Sequence, residues 1–421
     1  MLSIIPFSNS FPRKIQNFIK EKQMNRFKIF FIIVSVLLLF LLSSCEKQDE
    51  VASPLNQEEQ NLLDDSETQA ESSFLKGFGS QGVLFTMTNS AAGNEVLVFE
   101  RSYDGTLTQQ GFYSTGGLGT GADLGNQGGL VLSRSRHRLL VCNAGSNDIT
   151  MFRVSRNGLE LLDRVPSGGD MPISVTIKGR LVYVLNAGGS GNISGFIVKY
   201  NGHLQPIAGS SRPLSGSGTG PAQISFSNSG RVLAVTEKAT NQILTYRVNY
   251  HGKTRGPKIF ASSGNTPFGF AFSRIGYLIV SEAFGGAANA SAVSSYRVFN
   301  NGGINVISPS VATGQTAACW IAITSDGKYA YTTNAGSGNI SGYRIKYDGS
   351  LQLLAQDGIT GDTGAGSTPL DMGISRGNKY LYSLNSGTQN ISIFRVKHDG
   401  SLEYIGEASG LPAGLNGLGV F

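Results

Sequence analysis

The 421 residues predict an all-β chain folded as a seven-bladed β-propeller of four-stranded antiparallel blades, its ring closed by the C-terminal strand. Three observations carry this expectation. Seven apolar runs end in Asn or Glu, and between Asn89 and Asn385 they recur at a mean interval of about 49 residues. Seven aromatic residues are each followed six positions later by Gly. The last residues read as a strand with nothing after it to pair with in sequence order.

The apolar runs end at Asn89, Asn143, Asn186, Glu237, Glu282, Asn334 and Asn385, and small residues follow, as in Asn143-Ala144-Gly145-Ser146 and Asn334-Ala335-Gly336-Ser337. Next comes an alternating strand with an aromatic near its end: Phe99, Phe152, Phe196, Tyr246, Tyr296, Tyr343 and Phe394. The glycines six residues on are Gly105, Gly158, Gly202, Gly252, Gly302, Gly349 and Gly400, each preceded by Asp, Asn or His. That pairing marks a tight hairpin whose glycine needs positive φ, and the fixed offset puts all seven hairpins in one register. An earlier strand, such as Ile224-Ser225-Phe226 or Ile321-Ala322-Ile323, precedes each unit but the first. Named in order, these are strands a to d, and four such strands repeated seven times fit a propeller. The first unit lacks strand a. Leu415-Asn416-Gly417-Leu418-Gly419-Val420-Phe421 aligns with Leu370-Asp371-Met372-Gly373-Ile374 and is expected to supply it, which protects the sheet edges.

Ahead of the repeats lie two segments of opposite charge. Residues 1–44 carry a net +5, residues 46–80 a net −7, and the total of +6 leaves +8 for residues 81–421. The basic Met24-Asn25-Arg26-Phe27-Lys28 is followed by Ile29 to Leu42, apolar except for Ser35. Fourteen residues suit the apolar region of an export signal and are short for a spanning helix. The run ends in Leu42-Ser43-Ser44-Cys45, which resembles a bacterial lipobox, with small residues ahead of a thiol that carries lipid. We read residues 1–44 as a cleaved lipoprotein signal (Met24 being an alternative start), Cys45 as the lipidation site, 45–80 as a disordered acidic tether, and 81–421 as the propeller. The implied location is the cell envelope, lipid-anchored, at the outer membrane and with possible surface exposure: the acidic run behind Cys45 resembles a surface-export signal. The membrane is then a partner through the lipid on Cys45.

No basic helix and no interleaved aromatic and basic run is present, so nucleic acid is not an expected partner. The cationic domain favours a small anionic or sugar-derived ligand, with a protein partner as the other candidate. No cofactor and no metal is expected. The glycine-rich Gly117–Gly121 and Gly216–Gly220 segments are followed by no helix and read as d–a loops.

The strand pattern Gly-x-Pro-x-x-φ-x-φ-Ser-x-x-Gly-(Arg/Lys)-x-φ-x-Val-x-Asn-x-Gly-Ser, with φ apolar, resembles the repeat of the seven-bladed lactonase family. That family includes propeller 6-phosphogluconolactonases and is similar to carboxymuconate cyclases. The resemblance covers roughly residues 81–421. It implies a site at one mouth of the central channel, built from a His after the Pro that opens one strand a, an Arg-His pair in the next blade, and a Glu that ends the following strand b. Here Ile173 stands for the His, Ala222 and Gln223 stand for the Arg-His pair, and Glu237 alone is kept.

The remaining chemistry follows from placement. His137 falls in an a–b turn, and His203, His251 and His398 flank c–d hairpins, all on the face opposite the Glu237 end. None can reach a proton there, because a general base works within about 3 Å or through one water. At the Glu237 face, Ser174, Gln223, Trp320 and Asp371 are expected at or near the mouth as ligand-binding groups, with Gly129, Gly269 and Gly417 at the matching positions. Glu237 and Glu282 come from adjacent blades and are the candidate catalytic pair, able to split their pKa values into an acid and a base. The same carboxylates can instead accept hydrogen bonds from turn amides or hold a cation. Trp320 can stack on a sugar face or fill the channel. Cys142 and Cys319 have no His in reach, which argues against a thiol nucleophile. Two functions therefore compete: a binding module at the Glu237 mouth, and a lactone hydrolase or lactonising cyclase with a rebuilt site. A third possibility is a blade ring with no small ligand.

Overall fold

The computed structural model describes residues 82–421, except Arg156. The expected signal, Cys45 and acidic tether lie outside the described residues. The described residues form seven antiparallel sheets arranged in sequence order. Blade 4 is the simplest example, with strand a Pro221–Phe226, b Val232–Glu237, c Gln242–Val248 and d Thr254–Ala261. Blades 5 and 7 repeat it over Pro267–Ala312 and Pro369–Ala408, and blade 2 over Leu130–Pro166 with a three-residue strand a. In blades 3 and 6 strand d is broken into two pieces, Leu204–Pro206 with Arg212–Pro213, and Leu351–Leu353 with Gly361–Asp362. Blade 1 is the composite: Gly82–Met87 is strand b, Glu95–Arg101 c, Leu107–Ser114 d, and Asn416–Val420 is strand a. Leu84 pairs with Val420 and Phe85 with Gly419, so the ring closes as expected.

The repeated aromatics form the packing between blades. Phe99, Phe152, Phe196, Tyr246, Tyr296, Tyr343 and Phe394 are all buried. Each hairpin glycine has positive φ, from 75° at Gly252 to 104° at Gly158. At Gly400 a second reason applies. A Cβ there would stand 2.5 Å from the ring of Tyr329 in the preceding blade. The neighbouring Tyr331 donates its hydroxyl to the Gly400 carbonyl at 2.8 Å, and Tyr382 does the same to Gly105. The hairpins are therefore staples between consecutive blades, which explains why their register does not drift.

One boundary differs from the sequence reading. Strand b of blade 1 ends at Met87, not at Asn89. Asn89 lies two residues further on in the left-handed region, φ 49°, and its side chain turns to Thr120 and Ala122. Asn94 takes over its place between blades, donating to the side-chain oxygen of Asn143 at 2.9 Å.

Candidate functional site

Strands a line the centre of the ring, and their N-terminal ends meet the ends of strands b on one face. The d–a and b–c connections lie on this face. The a–b and c–d turns lie on the other, and all four histidines are there: His137 between Leu132 and Arg138, the others beside the c–d hairpins. His203 approaches Asp163 at 3.4 Å, and His251 packs against Tyr250.

Ser174, Gln223, Trp320 and Asp371, the third residues of strand a in blades 3, 4, 6 and 7, were expected at or near the mouth. They are instead buried, at 0, 8, 2 and 4% exposure in that order. The reason is visible in their partners. Ser174 Oγ accepts the Ile224 N–H at 3.1 Å, Gln223 Oε1 accepts the Phe270 N–H at 2.6 Å, and Asp371 Oδ2 accepts the Leu418 N–H at 3.1 Å. Each side chain reaches the strand a of the following blade and satisfies an amide that the sheet leaves unpaired. Where the position is Gly269, a residue from elsewhere does the work: Gln127 Oε1 accepts the Ile321 N–H at 3.1 Å while its Nε2 donates to the Ile321 carbonyl at 2.8 Å. A Cβ on Gly269 would collide with Gln127.

Gln127 belongs to the long connection from blade 1 to blade 2, residues 115–129, and its last part crosses the channel. Asn126 donates to the Ile173 carbonyl in blade 3, accepts from Asn416 at 2.9 Å in blade 1, and its carbonyl accepts the Trp320 indole N–H at 2.7 Å in blade 6. Gln127 donates its backbone N–H to Ala222 in blade 4 at 3.1 Å, and its carbonyl accepts the Ser174 hydroxyl at 2.7 Å. Lys238, just past Glu237, donates Nζ to the Gly125 carbonyl and sits 4.7 Å over the ring of Phe268. Burial lowers the Lys238 pKa, against a smaller opposing pull from Asp123. Trp320 packs on Phe268 with ring centroids 5.0 Å apart. The channel is thus filled at this end by a polar loop hydrogen-bonded to blades 1, 3, 4 and 6, with Trp320 and Phe268 packed beside it.

The two glutamates are fully buried and share no hydrogen-bond partner. Glu237 accepts the Ser215 N–H at 3.0 Å, the Ser215 hydroxyl, and the Thr240 hydroxyl at 2.7 Å. Glu282 accepts the Gly264 N–H at 2.8 Å and the hydroxyls of Ser294 and Ser310, both at 2.6 Å, with Ser262 at 3.3 Å. Asn143, Asn334 and Asn385 occupy the same register and donate to side chains of the next strand, Asn385 to Asn390 and Ser392 at 2.8 Å. The Asn/Glu positions are therefore caps joining strand b to the neighbouring turn and d–a loop. Glu differs from Asn in having only acceptors, and its neighbours here are donors.

Burial pushes the Cys319 thiol up to about 12 and raises Cys142 further, so neither is a thiolate near neutrality. Among the described residues no three His, Cys, Asp or Glu converge as metal ligands. Sequence reasoning missed Asn126, Gln127, Ser215 and Thr240. The available signal was the length of the 115–129 connection beside 167–171, 262–266 and 313–317.

Residues 78–213 and 292–415 match the family model described as Lactonase, 7-bladed beta-propeller. No curated protein sequence matches the chain. Among solved structures, it is similar to a protein from Lactobacillus plantarum (17% identity, TM-score 0.65, covering 81% of this chain and 99% of that one). It is similar to a candidate 6-phosphogluconolactonase from Bacteroides fragilis (18%, TM-score 0.63, 81% and 98%). A periplasmic gluconolactonase from Pseudomonas aeruginosa matches at 16% identity and TM-score 0.63, covering 80% and 98%.

Proposed function

The chain belongs to the seven-bladed β-propeller lactonase family; within that family we propose that it is a lipid-anchored envelope protein whose propeller binds rather than hydrolyses. Its partner, a carbohydrate-derived ligand or a protein, engages the face of d–a and b–c loops around Glu237. The observation that carries this reading is the occupied mouth: Asn126 and Gln127 take up the space where a substrate would approach strands a. Three further features support it. Ile173, Ala222 and Gln223 stand where the family resemblance places His and Arg-His. Glu237 is fully buried and already accepts from three donors of its own turn and loop. The histidines are on the far face. Fold and function are separable, so a retained ring with a discarded site is physically coherent.

The test is hydrolysis of gluconolactone and 6-phosphogluconolactone by the purified protein and by Glu237→Gln. The expected rate for both is that of buffer alone. Turnover well above background that disappears in Glu237→Gln would overturn the binding reading. It would favour the second one, a lactone hydrolase working through Glu237, which family membership and the gluconolactonase neighbour support.

The anchor is tested separately. Cys45→Ala is expected to abolish incorporation of labelled palmitate and to release the protein from the membrane fraction, since one or more acyl chains supply about 0.8 kcal/mol per buried methylene. Persistent labelling in that variant would rule out Cys45 as the acceptor.

A further inference from the structure

The face opposite Glu237 has a charge pattern that the reading above does not use. The c–d hairpins on its outer edge are mixed in sign, with Arg156, Lys199, Lys253, Lys346 and Lys397 against Asp104, Asp348 and Asp399. The a–b turns around the inner mouth are not. Their one acidic side chain is Asp326. Lys328 pairs with Asp326 at 3.5 Å, and Arg180 lies over the Tyr200 ring at 4.3 Å. Arg134, Arg136, Arg231, Arg274, Arg376 and Lys379 complete the ring. The Glu237 face carries more acidic groups: Asp123, Asp170, Asp357 and Asp362 in or beside its loops, against Arg212, which donates to the Thr254 carbonyl, and Lys238, turned inward to Gly125.

A recess opens within this cationic ring. It has a volume of about 470 Å³, with Arg136, Arg376, Ser325 and Asn378 on its wall and Ile374 and Phe421 as apolar surface. Arg136 is held with its guanidinium 4.1 Å over the Phe421 ring, and Arg376 is exposed on a short turn, Arg376–Asn378. Guanidinium forks beside hydroxyl and amide donors suit phosphate and carboxylate oxygens. A recess of this size admits a compact solute.

We propose that the a–b mouth of the propeller is a second site, for a compact organic polyanion bearing several phosphate or carboxylate groups. The site is independent of whether the Glu237 face hydrolyses lactones. The probe is inositol hexakisphosphate, titrated calorimetrically into the full chain in neutral detergent at low salt, with myo-inositol as the uncharged control. The acidic 46–80 stretch is then present, and the affinity measured is net of it. Binding of the phosphate and not of myo-inositol is expected, weakening steeply with salt. Arg136→Gln with Arg376→Gln, the two guanidinium groups on the recess wall, is expected to weaken it roughly tenfold or more, since charge-assisted hydrogen bonds are lost. Lys199→Gln with Lys253→Gln removes the same charge from the outer edge of the same face and is expected to change affinity by less than about twofold. Absence of binding at low salt overturns the proposal, as does an equal loss from both pairs, which would mean attraction to net charge and no site. Binding of citrate with the same dependence on Arg136 and Arg376 would extend the site to carboxylates.

Discussion

Glu282→Ala is expected to lower the stability of the propeller by about 3–5 kcal/mol, the largest single-residue effect the structure implies. The carboxylate is fully buried at the end of strand b in blade 5 and accepts from Gly264, Ser262, Ser294 and Ser310. Alanine removes all of these acceptors together, leaves an amide and three hydroxyls to find partners in a dry space, and opens a cavity beside Gly264. Glu282→Gln keeps one acceptor oxygen and the volume but turns an N–H toward donors, so its loss is expected to be intermediate. The measurement is the denaturant midpoint of each variant against the parent, read by tryptophan fluorescence, since Trp320 in the neighbouring blade is the only Trp. An unchanged midpoint for Glu282→Ala would mean that the four donors have other partners, and the capping role would fall with it. The contrast with a catalytic role is direct: a cap shows itself in stability whether or not any substrate exists.

Asp371 predicts a dependence on pH. Burial raises its carboxyl from the ordinary 3.8 to about 7, against the partial compensation of the Met372 and Leu418 amides. The sign follows from linkage. Between those two values the folded chain holds a proton that the unfolded chain has released, so the folded state is favoured at the acid end of the window. Stability from this group is lost as pH rises from about 4 to about 7, by roughly 4 kcal/mol at most, and is flat above. Asp371→Asn keeps the side chain uncharged at every pH. Its stability is expected to exceed that of the parent at pH 8, less about 1 kcal/mol for the acceptor it lacks, and to fall below it near pH 4. Thermal midpoints of both proteins from pH 4 to 8 decide the matter; parallel curves would show that Asp371 does not titrate in this range. Because Leu418 is in the closing strand, the effect is located at the seam between blades 7 and 1.

The ring itself was legible in the sequence because each blade repeats a local rule. An aromatic six residues before a positive-φ glycine states the hairpin, and a C-terminal strand without a successor states the closure. The caps were half legible: the Asn/Glu register was plain, but whether those side chains pointed into a site or into their own turns depended on Ser215, Thr240, Ser294 and Ser310, which lie up to 28 residues away and carry no pattern of their own. The filled channel was least legible. Asp123-Leu124-Gly125-Asn126-Gln127-Gly128 has the composition of any surface loop, and the preference of Asn126 for three blades at once is a property of the closed ring. Ser174, Gln223 and Asp371 were placed on the correct strands but given the wrong neighbours, since a short polar side chain at a strand end satisfies the adjacent blade before it meets solvent.

The composite blade also has a mechanical consequence. Gly82 begins an inner strand, flanked by Asn416–Val420 on one side and Glu95–Arg101 on the other, and Phe421 donates its N–H to Val83 at 2.9 Å beside it. A pull transmitted through the residues ahead of Gly82 therefore does not peel an outer strand one bond at a time. It loads two ladders lengthwise, so that their hydrogen bonds resist in parallel and must yield together. The joint that closes the ring thus also bears any tension applied through the residues ahead of Gly82.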